Sequence, residues 1–539
     1  MSGACNQGLS PLTINHLLPQ DGAMTTFESM HQDEIVGKLT TVDRMIFNGY
    51  LMSFFWPGYF QKFLCRQDVL LKDFGPYVLK ATSAIKRNAL QMAEDAGRPY
   101  RYFPNTVRKK DELAKRIAEE DGITEGLICV FATMELRGSF EVKPNHKTHR
   151  LDVVRTHRKC VHFYFYIIDP EFGFMHVRIQ SWFPFEIQVY INGREWLARQ
   201  LDQRGVDYQR YENALLYVDD LKLAERLCER LRHRQWPRFL NALARRVNPW
   251  LPVVKKFTGR GYYWVIDECE VATDLMWKSR SSLQRILPGL FDHAVASFSA
   301  NDVMRFLGRK LTGKFRGELV SDHKQRPEGR RVKHRIKNNW LKMYDKYSVL
   351  RVETTINNPS EFRVLRVVPN KKGRNERRWM SMGKGVANFW RYLQIGESAN
   401  LRYLDALASA PVQGKAVADL DDLCRSRIAG AKRYPKLNPV SESDCALFRA
   451  VLSGEHAING FRNRDLQSHL YRALPATHQE AKQRCARTSR LIRKLRGHHL
   501  LAKVPSARLY RVTPRGYRIM SAALRYRSVG FPEQLERAA

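Results

Sequence analysis

The stretch Val349-Leu-Arg-Val-Glu-Thr-Thr-Ile356 decides how the middle of the chain is read. Its β-branched residues and its period of two place Leu350, Val352, Thr354 and Ile356 on one face and Arg351, Glu353 and Thr355 on the other, a strand with an apolar and a polar side. Working outward, Trp340-Leu-Lys-Met-Tyr344 and Phe362-Arg-Val-Leu-Arg-Val-Val368 alternate in the same way, and a loop rich in Lys, Arg and Gly follows at 369–378. Upstream, 127–142 and 160–191 are dense in β-branched and aromatic residues, with turn signals at Asp169-Pro170, Phe172-Gly173 and Asn192-Gly193. Residues 194–203, 219–232 and most of 235–315 have helical spacing, interrupted at Pro252 and Pro288. Near the N-terminus, Leu113 and Ile117 lie four apart on a helix face, and the whole of 31–121 is expected to be helical.

The expected fold class is multidomain α+β. A loose tail at 1–30 precedes a helical N-terminal region at 31–121 and a mixed α/β central basic domain with antiparallel strands at 122–380. A helical segment at 381–428, a linker at 429–440, a C-terminal domain at 441–527 and a tail at 528–539 complete the chain. With 539 residues, 44% of them hydrophobic, several cores are affordable in apolar surface, which excludes wholesale disorder.

Charge narrows the function. Lys and Arg number 91 against 54 Asp and Glu, a formal net charge of +37. Residues 321–380 hold 17 Lys or Arg against 6 acids, and 461–527 hold 17 against 2, so two separate basic surfaces are implied. Such an excess concentrates polyanions and releases their counterions on binding, which makes DNA or RNA the expected partner. An anionic membrane surface is the rival reading of this charge, but no membrane partner is expected, and the apolar run Tyr50 to Trp56 is far short of the ~20 residues a spanning helix needs. Residues 1–30 show no secretory leader, and the nine scattered cysteines contain no Cys-x-x-Cys pair, so a cytosolic protein with reduced thiols is expected.

The C-terminal domain reads most clearly. Ser441-Glu-Ser-Asp444 can cap a helix that Gly454 stops, a second helix covers about 464–472, and a third runs from about 479 to 496. Ala481, Cys485, Thr488, Ile492 and Leu495 form the core stripe of that third helix, with Arg484, Arg487, Arg490 and Lys494 along its flank. Strands follow at 499–504 and 508–513, carrying Arg508 and Arg511. Helix, helix, basic helix and β-hairpin resembles the winged-helix family, and LLAKVPSARLYRVTPRGYRIM (500–520) looks like the wing of bacterial regulators of that kind. The resemblance implies a third helix that enters a DNA groove and a wing along the backbone. A protein-docking or RNA-binding module with a solvated basic face is the other reading.

The second basic surface interleaves cations with rings: Arg330, Arg331, Lys333, Arg335, Lys337, Trp340, Lys342, Tyr344 and Lys346, then Arg377, Arg378 and Trp379. Cations neutralise phosphates while the rings stack on unpaired bases, a composition suited to single-stranded or structured nucleic acid.

Four acids are the candidates for chemistry. A helix starting near Asp267 would put Glu270 and Asp274 on one face, and a hairpin would bring Asp345 towards Glu353. Paired carboxylates of this kind hold Mg²⁺ in nucleases and transposases; a solvated flank neutralised by Arg is the plainer reading. Lys342-Met-Tyr-Asp-Lys346 followed by Leu350-Arg-Val-Glu353 is similar to a stretch of rolling-circle replication initiators, which cut one strand with a Tyr and a metal held by two His. The His-hydrophobic-His pair of that family is here Cys160-Val-His162. His146, His149, His157, Cys160 and His162 have spacings a Zn²⁺ site could use, and a basic hairpin turn touching phosphate is the alternative. Tyr217-Val-Asp-Asp220 resembles the acidic turn of reverse transcriptases without the other polymerase motifs. Finally, Phe172 to Leu201 and Gly385-Val-Ala-Asn-Phe-Trp390 are similar to segments of a group of bacterial proteins, by analogy from mobile elements. The expectation is a nucleic-acid-binding protein of bacterial type, in the cytosol or nucleoid. A metal-dependent nuclease, nickase or transposase-like enzyme and a regulator without catalysis are the alternatives. No cofactor other than Mg²⁺ is implied, and the oligomeric state is left open.

Overall fold

Period-two burial runs along residues 35–50, where the sequence led us to expect a helix. The computed structural model describes residues 26–104, 109–309, 317–327, 329–370, 373–408, 421–429, 432–454, 456, 460–471, 473–505 and 507–527. Of the expected tails at 1–30 and 528–539, residues 1–25 and 528–539 lie outside these residues, and 27–30 form a short helix instead of a loose tail. Residues 33–403 form one compact unit, and those up to 32 together with those from 404 onward form a second.

In the first unit, β1 (Ile35–Tyr50) leads to α2 (Pro57–Arg66) and α3 (Phe74–Asp95); a short α1 (Phe27–Met30) precedes it in the chain and belongs to the second unit. Next come β2 (Tyr100–Phe103), α4 (Lys110–Glu120), β3 (Gly126–Asn145), β4 (Arg150–Asp169), β5 (Gly173–Gln180) and β6 (Ile187–Asn192). After α5 (Gly193–Asp202) and the hairpin β7 (Tyr208–Tyr211) and β8 (Ala214–Val218) lie α6 (Leu221–Arg232), α7 (Trp236–Val247) and α8 (Leu251–Thr258). The unit continues through β9 (Tyr263–Trp277), α9 (Arg280–Ala296), α10 (Ala300–Phe306), β10 (Leu319–Arg326), β11 (Gly329–Ile336), β12 (Asn339–Lys346) and β13 (Val349–Ile356). A separate ribbon, β14 (Arg363–Pro369) and β15 (Asn375–Ser381), precedes α11 (Phe389–Leu407).

Eleven strands form one sheet in the order β10-β11-β12-β13-β9-β1-β6-β5-β4-β3-β2, antiparallel throughout except for β2 beside β3. Two expectations are corrected here. The region 31–121 opens with a central strand, and 263–277, read within a helical stretch, is the strand between β13 and β1. Both segments carry enough Val, Ile, Trp, Tyr and Thr to fit a pleated surface flanked on both sides, and that tertiary placement overrides their charged residues. Phe362–Val368, expected among the central strands, pairs among the described residues only with β15. One sheet face packs against helices: Asn400 of α11 accepts from Thr354 at 2.7 Å and donates to the Val271 carbonyl at 2.9 Å. Asn192 caps α5, accepting from the N–H groups of Arg194 and Glu195, and Gly193 admits the β1 backbone, since a Cβ there would stand 2.5 Å from the Val42 carbonyl.

In the second unit, α12 (Glu442–Val451), α13 (Asn463–Leu470) and α14 (His478–Gly497) precede the hairpin β18 (Leu501–Lys503) and β19 (Tyr510–Val512), and α15 (Pro514–Arg525) follows. Of the expected core stripe, Thr488, Ile492 and Leu495 are buried, whereas Cys485 is exposed. The expected linker 429–440 is part of this unit: β16 (Arg427–Ala429) pairs with β17 (Lys432–Tyr434), and Leu437 joins its core. Among the described residues no helix is long and apolar enough to cross a membrane.

Candidate functional site

The polar face of β13 is where charge gathers. Antiparallel register sets Lys342 of β12 opposite Glu353, and on the other side Glu270 and Asp274 of β9 opposite Thr355 and Arg351. Lys342 Nζ lies 2.8 Å from Glu270 Oε1 and 2.5 Å from Glu353 Oε1, Arg44 of β1 reaches Glu270 at 2.9 Å and Glu268 at 2.5 Å, and Thr355 donates to Glu270 at 3.1 Å. Beside them Arg351 holds Asp274 at 2.7 Å and Asp43 at 3.0 Å and donates to the Asn213 carbonyl at 2.6 Å, while Arg194 reaches Asp274 at 3.0 Å. Lys342, Glu270, Glu353, Arg351 and Asp274 are all buried.

Burial and pairing compete at each carboxyl. Burial, aided by the Glu270 charge, pushes Glu353 up to about 7 against the pull of Lys342. Burial also works to raise Glu270, but Lys342 and Arg44 outweigh it and hold that carboxyl below its ordinary value. Burial disfavours the Lys342 ammonium, yet the two carboxylates more than compensate and keep it charged. A cleft of about 270 Å³ opens beside this cluster, bordered by Arg326, Arg330, Arg331, Tyr344 and Lys346.

Of the four candidate acids, three share a face and one does not. Asp345 is paired with Leu350, on the side turned from Glu353; its carboxylate accepts from Gln284 of α9 at 3.2 Å, although the residue also lines the cleft. Burial raises its carboxyl above the usual range. Glu270 and Asp274 do share a face, as a helix would have arranged, because a spacing of four is also even in a strand. Between Glu270 and Glu353, where a cation would bridge them, stands the Lys342 ammonium, and Asp274 is taken by two arginines. Among the described residues no three His, Cys, Asp or Glu gather as a metal site. The arrangement therefore does not fit Mg²⁺ held by these acids. Nor does the Zn²⁺ spacing converge: His146 and His149 are exposed at the β3–β4 turn, His157 is exposed on β4, and a buried His162 ring nitrogen bonds the Cys160 carbonyl at 3.1 Å. In the Tyr217–Asp220 tetrapeptide, Asp219 accepts from the Tyr217 hydroxyl and Asp220 caps α6, both structural roles.

The polar face continues across the sheet. Glu135 of β3 accepts from the Tyr164 hydroxyl at 2.5 Å, Thr133 at 3.2 Å, Lys110 at 3.3 Å and Arg178 at 3.4 Å. Burial opposes its charge, but these donors hold its carboxyl at about 2; burial pushes His162 and His176 down to about 4, which leaves both neutral at pH 7.

The candidate nucleic-acid residues divide into two groups. Arg331 is bound to Asp322 at 3.1 Å, Lys337 to Glu361 at 2.6 Å and Lys494 to Asp444 at 3.1 Å, and Arg484 is paired with Glu480 and lies over the Tyr471 ring. Lys333 sits 3.6 Å above the Trp340 ring, which makes that pair a cation–π contact within the sheet. Arg330 and Arg511 are half-buried. Arg335, Arg377, Arg378, Trp379, Arg487, Arg490 and Arg508 are exposed. Sequence reading missed Asp43, a partner of Arg351; Arg44 and Arg194, partners of the central acids; and Arg493, exposed on α14 beside Arg490. The β-branched run in 35–46 was the available signal for the first two.

No family model matches the chain, and comparison with curated proteins and with solved structures finds no match.

Proposed function

We propose that the chain binds nucleic acid through two basic regions, the β10–β15 part of the first unit and the α14 side of the second. One observation carries this reading. Buried cations are matched by acids, whereas Arg335, Arg377, Arg487, Arg490 and Arg493 are exposed and have no acidic partner among the described residues. Cations left in solvent without carboxylate partners keep their full attraction for phosphate and release its counterions on contact. In the second unit, three helices and a hairpin follow one another in the order of a winged helix, and Phe461 forms an isolated bridge to Tyr510 of the hairpin, which supports that reading. There α14 is the recognition helix, with Arg487 and Arg490 as its contacts and Arg508 on the wing. Mobility shift of the whole chain on labelled DNA and RNA at 50 and 300 mM salt tests the proposal. Tight binding that weakens steeply with salt supports it; little affinity at the lower salt contradicts it.

A catalytic reading is favoured by the cleft alone, where Glu353 with its raised carboxyl adjoins a basic rim. Incubation with labelled DNA and RNA, with and without Mg²⁺ and Mn²⁺, decides it. Turnover that Glu353→Gln abolishes while binding persists supports a catalyst, and binding without product leaves a binding protein.

A further inference from the structure

The ribbon β14–β15 has a feature that nothing in its own structure satisfies. Among the described residues its strands pair only with each other. The base is fixed: Phe362, Val364 and Met382 are buried, Met382 N donates to the Phe362 carbonyl at 2.9 Å, and Arg391 of α11 donates to the Arg363 carbonyl at 2.9 Å. Beyond the base the side chains are uncovered, including Val367 at 61% and Trp379 at 52% exposure. A two-stranded hairpin standing in water is marginal, so an arm like this is stabilised by what it meets. Its register places Arg366 directly opposite Arg378, and like charges at paired positions of a sheet repel. Arg366 has an amide oxygen of Asn388 at 3.3 Å, and Arg378 is ion-paired with Glu376, the one acid on the two strands. Against it stand Arg363, Arg366, Arg377 and Arg378.

Resting on the nucleic-acid reading above, we propose that this ribbon is a reading arm that lies in the major groove of duplex DNA with Arg366 and Arg378 turned to the base edges. Charge selects a polyanion and shape selects the groove. Seven residues per strand span ~23 Å at ~3.3 Å each. The B-DNA major groove, ~12 Å wide, admits a two-stranded ribbon. Two guanidinium groups side by side present donors to the O6 and N7 acceptors of neighbouring guanines, while Arg363 and Arg377, projecting from the other face, reach towards the phosphate ridges. Duplex RNA offers only a deep, narrow major groove, so it is the wrong shape for the same arm.

The test uses the full chain with Arg366→Ala/Arg378→Ala and with Arg366→Lys/Arg378→Lys. Binding is measured on duplex DNA, on duplex RNA and on single-stranded DNA of the same sequence, together with dimethyl sulfate protection of guanine N7. The Ala pair is expected to bind duplex DNA at least tenfold more weakly, to lose N7 protection and to stay within twofold on the other two ligands. The Lys pair, which keeps both charges and guards against a folding defect, is expected to lose N7 protection while retaining most of the affinity. Unchanged DNA affinity and N7 protection in both variants would overturn the proposal. An equal loss on all three ligands would also overturn it, showing a general phosphate contact while leaving the proposed function standing. If the unsubstituted chain binds no nucleic acid at 50 mM salt, the underlying reading fails and the reading arm with it.

Discussion

Two regions of the molecule handle positive charge in opposite ways. On the polar face of β13, Arg351 is buried and shared between Asp274 and Asp43, and Lys342 is buried and shared between Glu270 and Glu353. On the ribbon and on α14, arginines stand exposed, several with no acidic neighbour among the described residues. Both places carry Lys and Arg, so the presence of a cation alone does not separate one that holds the fold from one that meets a ligand. Pairing and burial do.

The comparison is broken most severely at Arg351. Replacing it with Met leaves Asp274 and Asp43 buried and short of a partner, and an uncompensated buried charge costs ~3–5 kcal/mol. Urea unfolding followed by near-ultraviolet circular dichroism should show that loss in the transition of the first unit; a loss below 1 kcal/mol would mean the cluster is solvated or rearranges.

Glu353 gives a pH signature. Its folded carboxyl, at about 7, lies above the ordinary 4.5, so between these values the folded state binds more protons than the unfolded. Its contribution to stability is therefore present at low pH and lost as pH rises towards 7, by on the order of 3 kcal/mol at most. Glu353→Gln should remove that slope from stability measured between pH 4.5 and 8. The opposite slope in this range, stability falling as pH drops below 6.5, comes from His162 and His176 at about 4, and it should survive the substitution; Glu135, at about 2, adds to it only below 4.5. An unaltered profile in the Gln variant would place Glu353 in water.

At α14 the expected effect is on binding only. Arg487→Ala/Arg490→Ala should weaken duplex affinity by about tenfold and make the salt dependence shallower by about two contacts, with unchanged thermal melting. The smallest effect is the control. Arg449 of α12 is exposed but lies 3.4 Å from Glu442, and Arg449→Gln should shift stability by less than ~0.5 kcal/mol and binding by less than twofold. A large binding loss there would show that an acidic neighbour does not mark a cation as idle.

What was legible in the sequence followed from period and local turn chemistry. Alternation in 349–356 placed Arg351 and Glu353 on one face, and the order of helices and strands after 441 was read nearly as it stands. The turn at Tyr347 and Ser348 pairs Lys346 with Val349, and counting back from it puts Lys342 opposite Glu353 and Asp345 opposite Leu350. That register was available, but expecting Asp345 to approach Glu353 ignored that odd and even positions face opposite ways. The β-branched run in 35–46 marked a strand for Asp43 and Arg44, but their partners stayed hidden because the neighbouring strands β9 and β6 lie more than 130 residues away. The ribbon read as one more central strand, since period two shows that a segment is extended without naming its partner.

The most direct test is the salt dependence of the unsubstituted chain on duplex DNA, plotted as log affinity against log salt from 50 to 300 mM. Five or six exposed arginines meeting phosphates predict a straight line with a slope on the order of −5. A slope near zero, or no measurable binding at 50 mM, would contradict the claim that the exposed, unmatched cations are the binding surface.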